Sequence, residues 1–450
     1  MKSTGLLIAA AVLAALTGVM YWSDHRKAAD STATPVDASP KILTFKETDL
    51  SKIEIKKEGA EEVALAKNDA GKWQITAPVA LAADQDAIAS MVSTLSSLNS
   101  ERVVEDKASD LKPYGLTEPA LEVDIATKDG KSQKLLLGDD TPAGNAVFAA
   151  TAGDPRVFTI ASYTKTNIYK GPSDLRDKRL LTTDFDKISQ VELDAKKQSI
   201  EFGRNKDAWQ ILKPRPLRAD NFTVEDLVRR LKDAKMDLAA ALDEKKAASA
   251  FASGTLVAIA KVTDAAGTQE LQIRKSKDDY YAKSTAVAGI YKVANDLGTG
   301  LDKGLDDFRN KKLFDFGFDE PNKVEMHDGS KAYFLTKGGP DWWSNGKKME
   351  DSGVQALIDK ARDLSASKFV DSGFTTPVID LTVTSNDGKR TEKVLISKSG
   401  DTYIAKRENE PSLYQLDSKP VEELQKSAAD VKLAPAPTPP AGKPAPATKK

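Results

Sequence analysis

Tryptophans at three places in the chain head the same pattern, and a chain that repeats itself in this way folds as repeated units. Trp73 is followed by Pro78, Asp84 and Ile88, and Trp209 is followed at the same spacings by Pro214, Asp220 and Val224. A third copy opens at Trp342–Trp343 and reaches Val354 through a shorter connection that lacks the proline. Downstream of each tryptophan the apolar residues share one spacing: Ile88, Met91, Val92, Leu95, Leu98; Val224, Leu227, Val228, Leu231, Ala234; Val354, Leu357, Ile358, Ala361, Leu364. That spacing draws a stripe down one face of a 3.6-residue helix, and the stripe needs a sheet to lie on. Asp84, Thr223 and Ser352, or nearby acids, are the expected helix caps, because a short side-chain oxygen satisfies free backbone N–H groups.

The strands are marked by alternation. Leu121, Val123 and Ile125 run up to Asp129–Gly130 and return through Leu135 and Leu137. The third copy repeats this with Ile379, Leu381 and Val383, a turn at Asp387–Gly388, then Val394 and Ile396, and the second turns near Asp264–Gly267. Alternation around an Asp-Gly pair signals a hairpin, since glycine supplies the positive φ of the turn. A last hairpin is expected to pair Phe148 with Phe158, Tyr281 with Tyr291, and Ile404 with Tyr414. Local hairpins imply antiparallel sheets with helices on one face. The expected fold class is therefore α+β, with three tandem modules of antiparallel β-sheet and a packed amphipathic helix at 42–180, 181–313 and 314–432. A length of 450 residues is enough for three such cores.

Copies one and two end in DLRDKRLL (Asp174–Leu181) and DFRNKKLF (Asp307–Phe314). This mixed-charge motif reads as a junction where one module hands over to the next; a ligand-binding arginine is the sharper alternative. The third copy lacks it, as expected if no fourth module follows.

Before the modules, Gly5–Trp22 is an apolar run whose single polar member is Thr17. Eighteen residues of helix span about 27 Å, enough for a thin hydrocarbon core, and Tyr21–Trp22 suit the interface. Residues 1–22 are read as a transmembrane anchor, with a cleaved signal peptide as the competing reading. Either one places the bulk of the chain outside the cytoplasm. The expected location is the bacterial cytoplasmic (inner) membrane, single-pass, with a periplasmic body. Residues 23–41 read as a flexible spacer, and the Pro/Ala-rich tail 433–450 as extended and disordered.

Composition removes most chemistry. There are no cysteines, so disulfides, thiolate nucleophiles, iron–sulfur clusters and a lipid-modified cysteine are excluded. With only His25 and His327, histidine acid–base or metal chemistry has almost no raw material. A net charge of −1 gives no basic excess for nucleic acid. No nucleophile elbow, phosphate loop or zinc-protease motif is present. Asp139–Asp140 reads as a turn between strands, His327 as a solvated residue beside a turn, and the repeated tryptophans as core residues. No catalytic, cofactor-binding or metal-binding residue is assigned, and no cofactor is expected.

Four segments carry a resemblance: KWQITAPVALAAD, the Tyr-Gly-Leu-x-x-Pro element at Tyr114–Pro119, LLLGDDTPAGNAVFAA and DLRDKRLL. On these the chain resembles the DUF4340 family, bacterial membrane-anchored envelope proteins of unknown function, over roughly Leu43 to Leu181 with weaker echoes to about Val431. Copies two and three lack the Tyr-Gly-Leu and Leu-Gly-Asp elements. The resemblance implies an extracytoplasmic β-rich body and an association with an ABC-type transport system. The expected role is that of a noncatalytic binding or scaffold component with an envelope or transporter protein partner. An envelope hydrolase using acidic residues is the alternative, and it requires two carboxylates converging in one cleft.

Overall fold

The computed structural model describes residues 40–205, 208–238 and 244–435, and within them the chain forms three antiparallel sheets with helices, an α+β architecture. The first sheet contains β1 (Leu50–Lys57), β2 (Val63–Lys67), β3 (Trp73–Ala77), β4 (Leu81–Ala82), β5 (Arg102–Glu105), β6 (Leu121–Thr127), β7 (Ser132–Asp140), β8 (Ala146–Thr151) and β9 (Val157–Ala161). Its order is β4-β3-β2-β1-β6-β7-β8-β9-β5. The helix Gln85–Ser96 crosses from the β4 edge to the β5 edge, so the sequence-adjacent strands on its two sides lie at opposite ends of the sheet.

The second sheet is built likewise from β10 (Gln190–Ala195), β11 (Gln198–Asn205), β12 (Ala208–Lys213), β13 (Leu217–Arg218), β14 (Thr255–Asp264), β15 (Gly267–Ser276), β16 (Asp279–Ser284) and β17 (Ile290–Val293). The third has β18 (Pro321–Asp328), β19 (Lys331–Gly338), β20 (Asp341–Ser344), β21 (Lys347–Lys348), β22 (Lys368–Val370), β23 (Ile379–Ser385), β24 (Arg390–Ser399), β25 (Thr402–Arg407) and β26 (Leu413–Leu416). Contacts group the chain into one unit ending at Lys178 and another beginning at Arg179, so sheets two and three belong to the same unit. No helix of the described residues is long and apolar enough to cross a membrane. The apolar run Gly5–Trp22, the proposed anchor and most of the spacer and tail lie outside the described residues.

The apolar stripes are buried as the periodicity requires. Ile88, Leu95, Val224, Leu227, Leu231, Val354 and Leu357 are each wholly buried against their sheets. Each tryptophan lies beneath its helix, Trp73, Trp209 and Trp342 all being buried, whereas Trp343 points outward. A second tie was invisible to periodicity. The residue after the helix cap carries an amide: Gln85 Oε1 accepts from the Trp73 backbone N–H at 2.9 Å, and Asn221 Oδ1 accepts from that of Trp209 at 2.7 Å.

The named cap holds in the first copy and passes to a nearby acid in the second, and in the third the cap position makes no side-chain bond to the helix. Asp84 accepts from the N–H groups of Asp86 and Ala87. In the second copy the cap is Asp220, and Thr223 supplies the N–H that it accepts. In the third, Glu350 occupies the cap position without a side-chain bond to the helix, and the Ser352 hydroxyl donates to Glu350. The third copy omits the proline because β20 and β21 are joined by Asn345–Gly346, both at positive φ, the two-residue turn that suits a tight hairpin.

The last hairpin is displaced by one residue from the expected pairing. Phe158 faces Ala149, Tyr291 faces Ala282, and Tyr414 faces Ala405. One residue of slip reverses the face of a side chain. Phe158 therefore enters the main core, while Phe148 turns to the other face and meets Tyr114 edge-on at 5.1 Å. There the Tyr114–Leu116 segment covers Leu136, Phe148 and Ala150 as a small second core. The second module covers the corresponding face with the helix Glu244–Ser253, whose Phe251 ring lies under the Arg274 guanidinium. Helices are thus not confined to one face.

Candidate functional site

The charged motif closes one module and opens the next with backbone bonds. At the close, Arg176 pairs with Ala83, Arg309 with Ala219, and Leu433 with Met349, each extending the short edge strand of its sheet. The third copy thus keeps the closing strand although its charges are gone. At the opening, Lys41 pairs with Asn99, Arg179 with Lys235, and Lys312 with Ser365. Arg309 is 8% exposed and its guanidinium stacks on Phe369 at 3.3 Å, with bonds to Asp306 and Ser412. Residues on both sides of the motif thus fasten the second module to the third.

One polar bond recurs just inside each opening. A side-chain oxygen on the second strand of the central hairpin accepts the backbone N–H of the entering chain: Gln133 from Thr44, Gln269 from Thr182, and Glu392 from Asp315, at 2.9, 2.8 and 2.9 Å. In the third copy alone both partners are acids, and three arginines gather around them. Arg218, from β13 of the second module, donates to Asp315 at 2.5 Å and to the Lys312 carbonyl at 2.9 Å. Arg407 donates to Glu410 at 2.7 Å, to Glu392 at 3.1 Å and to the Leu313 carbonyl. Arg390 lies 3.3 Å from Glu392 and 3.8 Å from Asp315. Burial opposes the charge on Arg407, but Glu410, Asp315 and Glu392 outweigh it and raise its pKa. The second module places Ser284 where the third has Arg407, and its hydroxyl donates to Leu180 just as Arg407 donates to Leu313.

The Tyr414 hydroxyl donates to Glu410 at 2.9 Å, and burial first, with Glu410 second among the raising causes, pushes its pKa to about 12. A phenol whose folded pKa lies above its unfolded value of about 10 holds full stability below pH 10. That contribution is lost as pH rises through about 12. Ultraviolet titration should show one tyrosine ionising near that pH, and Tyr414→Phe should delete that step and flatten the alkaline fall in stability.

Beside this network lies an open cleft of about 690 Å³ lined by Arg218, Asn221, Asn310, Asp315, Arg390 and Glu410 among others. It is the place in the described residues where polar groups from two modules converge. Of these only Asn310 falls in a segment singled out from the sequence, the Asp307–Phe314 motif. The signal that could have found them is the column Gln133, Gln269, Glu392, in which one copy exchanges an amide for a charge.

The other candidates are structural. Asp139–Asp140 ends β7 rather than forming a turn, and Lys165 lies 3.7 Å from Asp140. Gly138 permits the backbone of Tyr114 to approach so closely that a Cβ would lie 2.1 Å from the Tyr114 oxygen. The two elements found by resemblance thus clasp each other. The third copy retains part of the first element: Gly373–Pro377 (GFTTP) stands before β23 as Gly115–Pro119 (GLTEP) stands before β6, and the Thr375 N–H donates to Ser397. His327 lies within β18, exposed, with its ring edge against Phe334. Among the described residues no group of three or more His, Asp or Glu side chains is arranged to hold a metal ion.

Comparison with curated proteins and with solved structures gives no match. Comparison with family patterns gives two, over residues 73–213 and 209–383. Each begins at a repeated tryptophan, so the matched stretch runs from the third strand of one sheet into the next sheet. On these two matches, which together span residues 73–383, the chain belongs to the family described as Domain of unknown function (DUF4340).

Proposed function

We propose that the chain is a noncatalytic scaffold or binding component of the bacterial envelope. It is tethered to the inner membrane by residues 1–22, holds its modules on the periplasmic side, and is accessory to an ABC-type transport system. The observation that supports this best is the use of the charged side chains. The cleft carboxylates Asp315 and Glu410 lie against Arg218 and Arg407, joining two modules into one body. A general acid or base needs a carboxylate able to exchange a proton with substrate, and these oxygens are engaged by guanidinium groups. Tandem modules offer several surfaces to partners. The transporter association is contributed by the family resemblance alone. Crosslinking in intact cells followed by affinity capture should recover the membrane-spanning and ATP-hydrolysing subunits of one transporter reproducibly. Recovery of the chain alone under several crosslinkers would sink the proposal, and glycan or peptide hydrolysis lost on Asp315→Asn would favour the hydrolase.

A further inference from the structure

We propose that one end of the second sheet is a membrane-contact tip that engages the phosphates of a phospholipid surface; this rests on the tethered reading above. The β10–β11 hairpin turns through Lys196 and Lys197 at φ 50° and 61°, and the β15–β16 hairpin through Lys277 at φ 57°. A side chain at positive φ is unfavourable, and glycine is the unstrained choice. The third module makes that choice at the equivalent turns, with Gly329 and Gly400 at φ 57° and 61°, and the first has Gly59 and Gly144 in its corresponding connections. Only the second module accepts strain to place lysines there. Backbone strain kept where a relaxed alternative exists points to a use.

The two turns lie at the same end of the sheet, on either side of β14. Ala195 pairs with Ala258 and Thr255 with Lys275, so both turns and the start of β14 share one end of the sheet. At the β14–β15 side of that end a cleft of about 390 Å³ is lined by Leu256, Lys275, Lys277 and Asp302 among others. Lys196 lies 4.0 Å from Asp307. Lys197 and Lys277 have no ion-pair partner among the described residues; Asp278 follows Lys277 in the turn, Asp302 lines the cleft, and Asp279 is held by Lys292 at 2.8 Å. Leu256, 47% exposed, lines that cleft beside Lys275 and Lys277. Lysines around an exposed leucine fit a bilayer surface, where phosphates lie above hydrocarbon, better than free phosphate, which offers the leucine nothing.

The absence of native cysteine makes the test direct. The full chain bearing Leu256→Cys, labelled with bimane, is reconstituted into nanodiscs of phosphatidylcholine and phosphatidylglycerol containing doxyl-labelled lipid. Quenching at least twofold above that of a label at Asp387→Cys is expected. Lys196→Gly with Lys277→Gly should return quenching to the control level while Tm stays equal or rises, because glycine relieves both turns. Quenching no greater than the control, or unchanged in the glycine variant, overturns the tip. So does an emission shift produced as fully by inorganic phosphate alone, or one that needs an added acidic protein. The tether has its own readout in co-elution with the disc: co-elution without quenching overturns the tip alone, and failure to co-elute overturns both.

Discussion

Arg407→Ser should destabilise the unit that begins at Arg179 by about 3 kcal/mol, because removing one partner of a buried ion-pair network leaves its acids short of countercharge. Glu392, with a side chain 6% exposed, would keep Arg390 as its one ion-pair partner among the described residues, beside the Asp315 N–H. The second module shows the neutral solution to the same geometry, in which Ser284 and Gln269 stand in place of Arg407 and Glu392. Adding Glu392→Gln to Arg407→Ser should therefore recover much of the loss. Urea unfolding of the two single variants and the double variant closes a cycle, and the double should cost less than the sum by at least about 1 kcal/mol. Strict additivity would mean that the network is a set of independent surface pairs.

Trp209→Ala should cost about 3–5 kcal/mol, the range for deleting a large buried aromatic side chain. Trp209 is 2% exposed, packs in the second core, and donates its indole N–H to Glu225 at 2.7 Å. Trp343→Ala is the matched control, since that ring lies outward on β20 and its removal should change stability by less than about 0.5 kcal/mol. Thermal or urea unfolding of both variants checks the pair, and equal effects would contradict the assignment of Trp209 to the core.

The two tryptophans of the third copy show what the sequence reveals and where it stops. Helical spacing of apolar residues and Asp-Gly turns were enough to find three helix-on-sheet units, because burial enforces period and turns enforce glycine. Register was not legible: Phe148 and Phe158 are both aromatic, and a spacing of ten positions fits two pairings that differ by one place. The choice depends on the connecting turn, not on either ring. The charged junction was still less legible. Arg218, Asp315 and Arg407 are far apart in the chain, and among so many ionisable residues any one looks like surface. Only the fold brings them together. The motif that was visible, Asp307–Phe314, lies beside that network, and its Arg309 is one of the groups that hold the modules.

The bridges at the two ends of each module also set an order of events during synthesis. Edge strand β4 stays uncovered until Leu175–Asp177 has been made, well after the rest of its sheet. A few residues later, Leu180 and Leu181 enter the core of the second module, so the segment that seals one sheet leads directly into the next. A growing chain therefore has, at any moment, one incomplete sheet with an exposed edge, and the danger of wrong pairing between sibling strands is confined to the newest module.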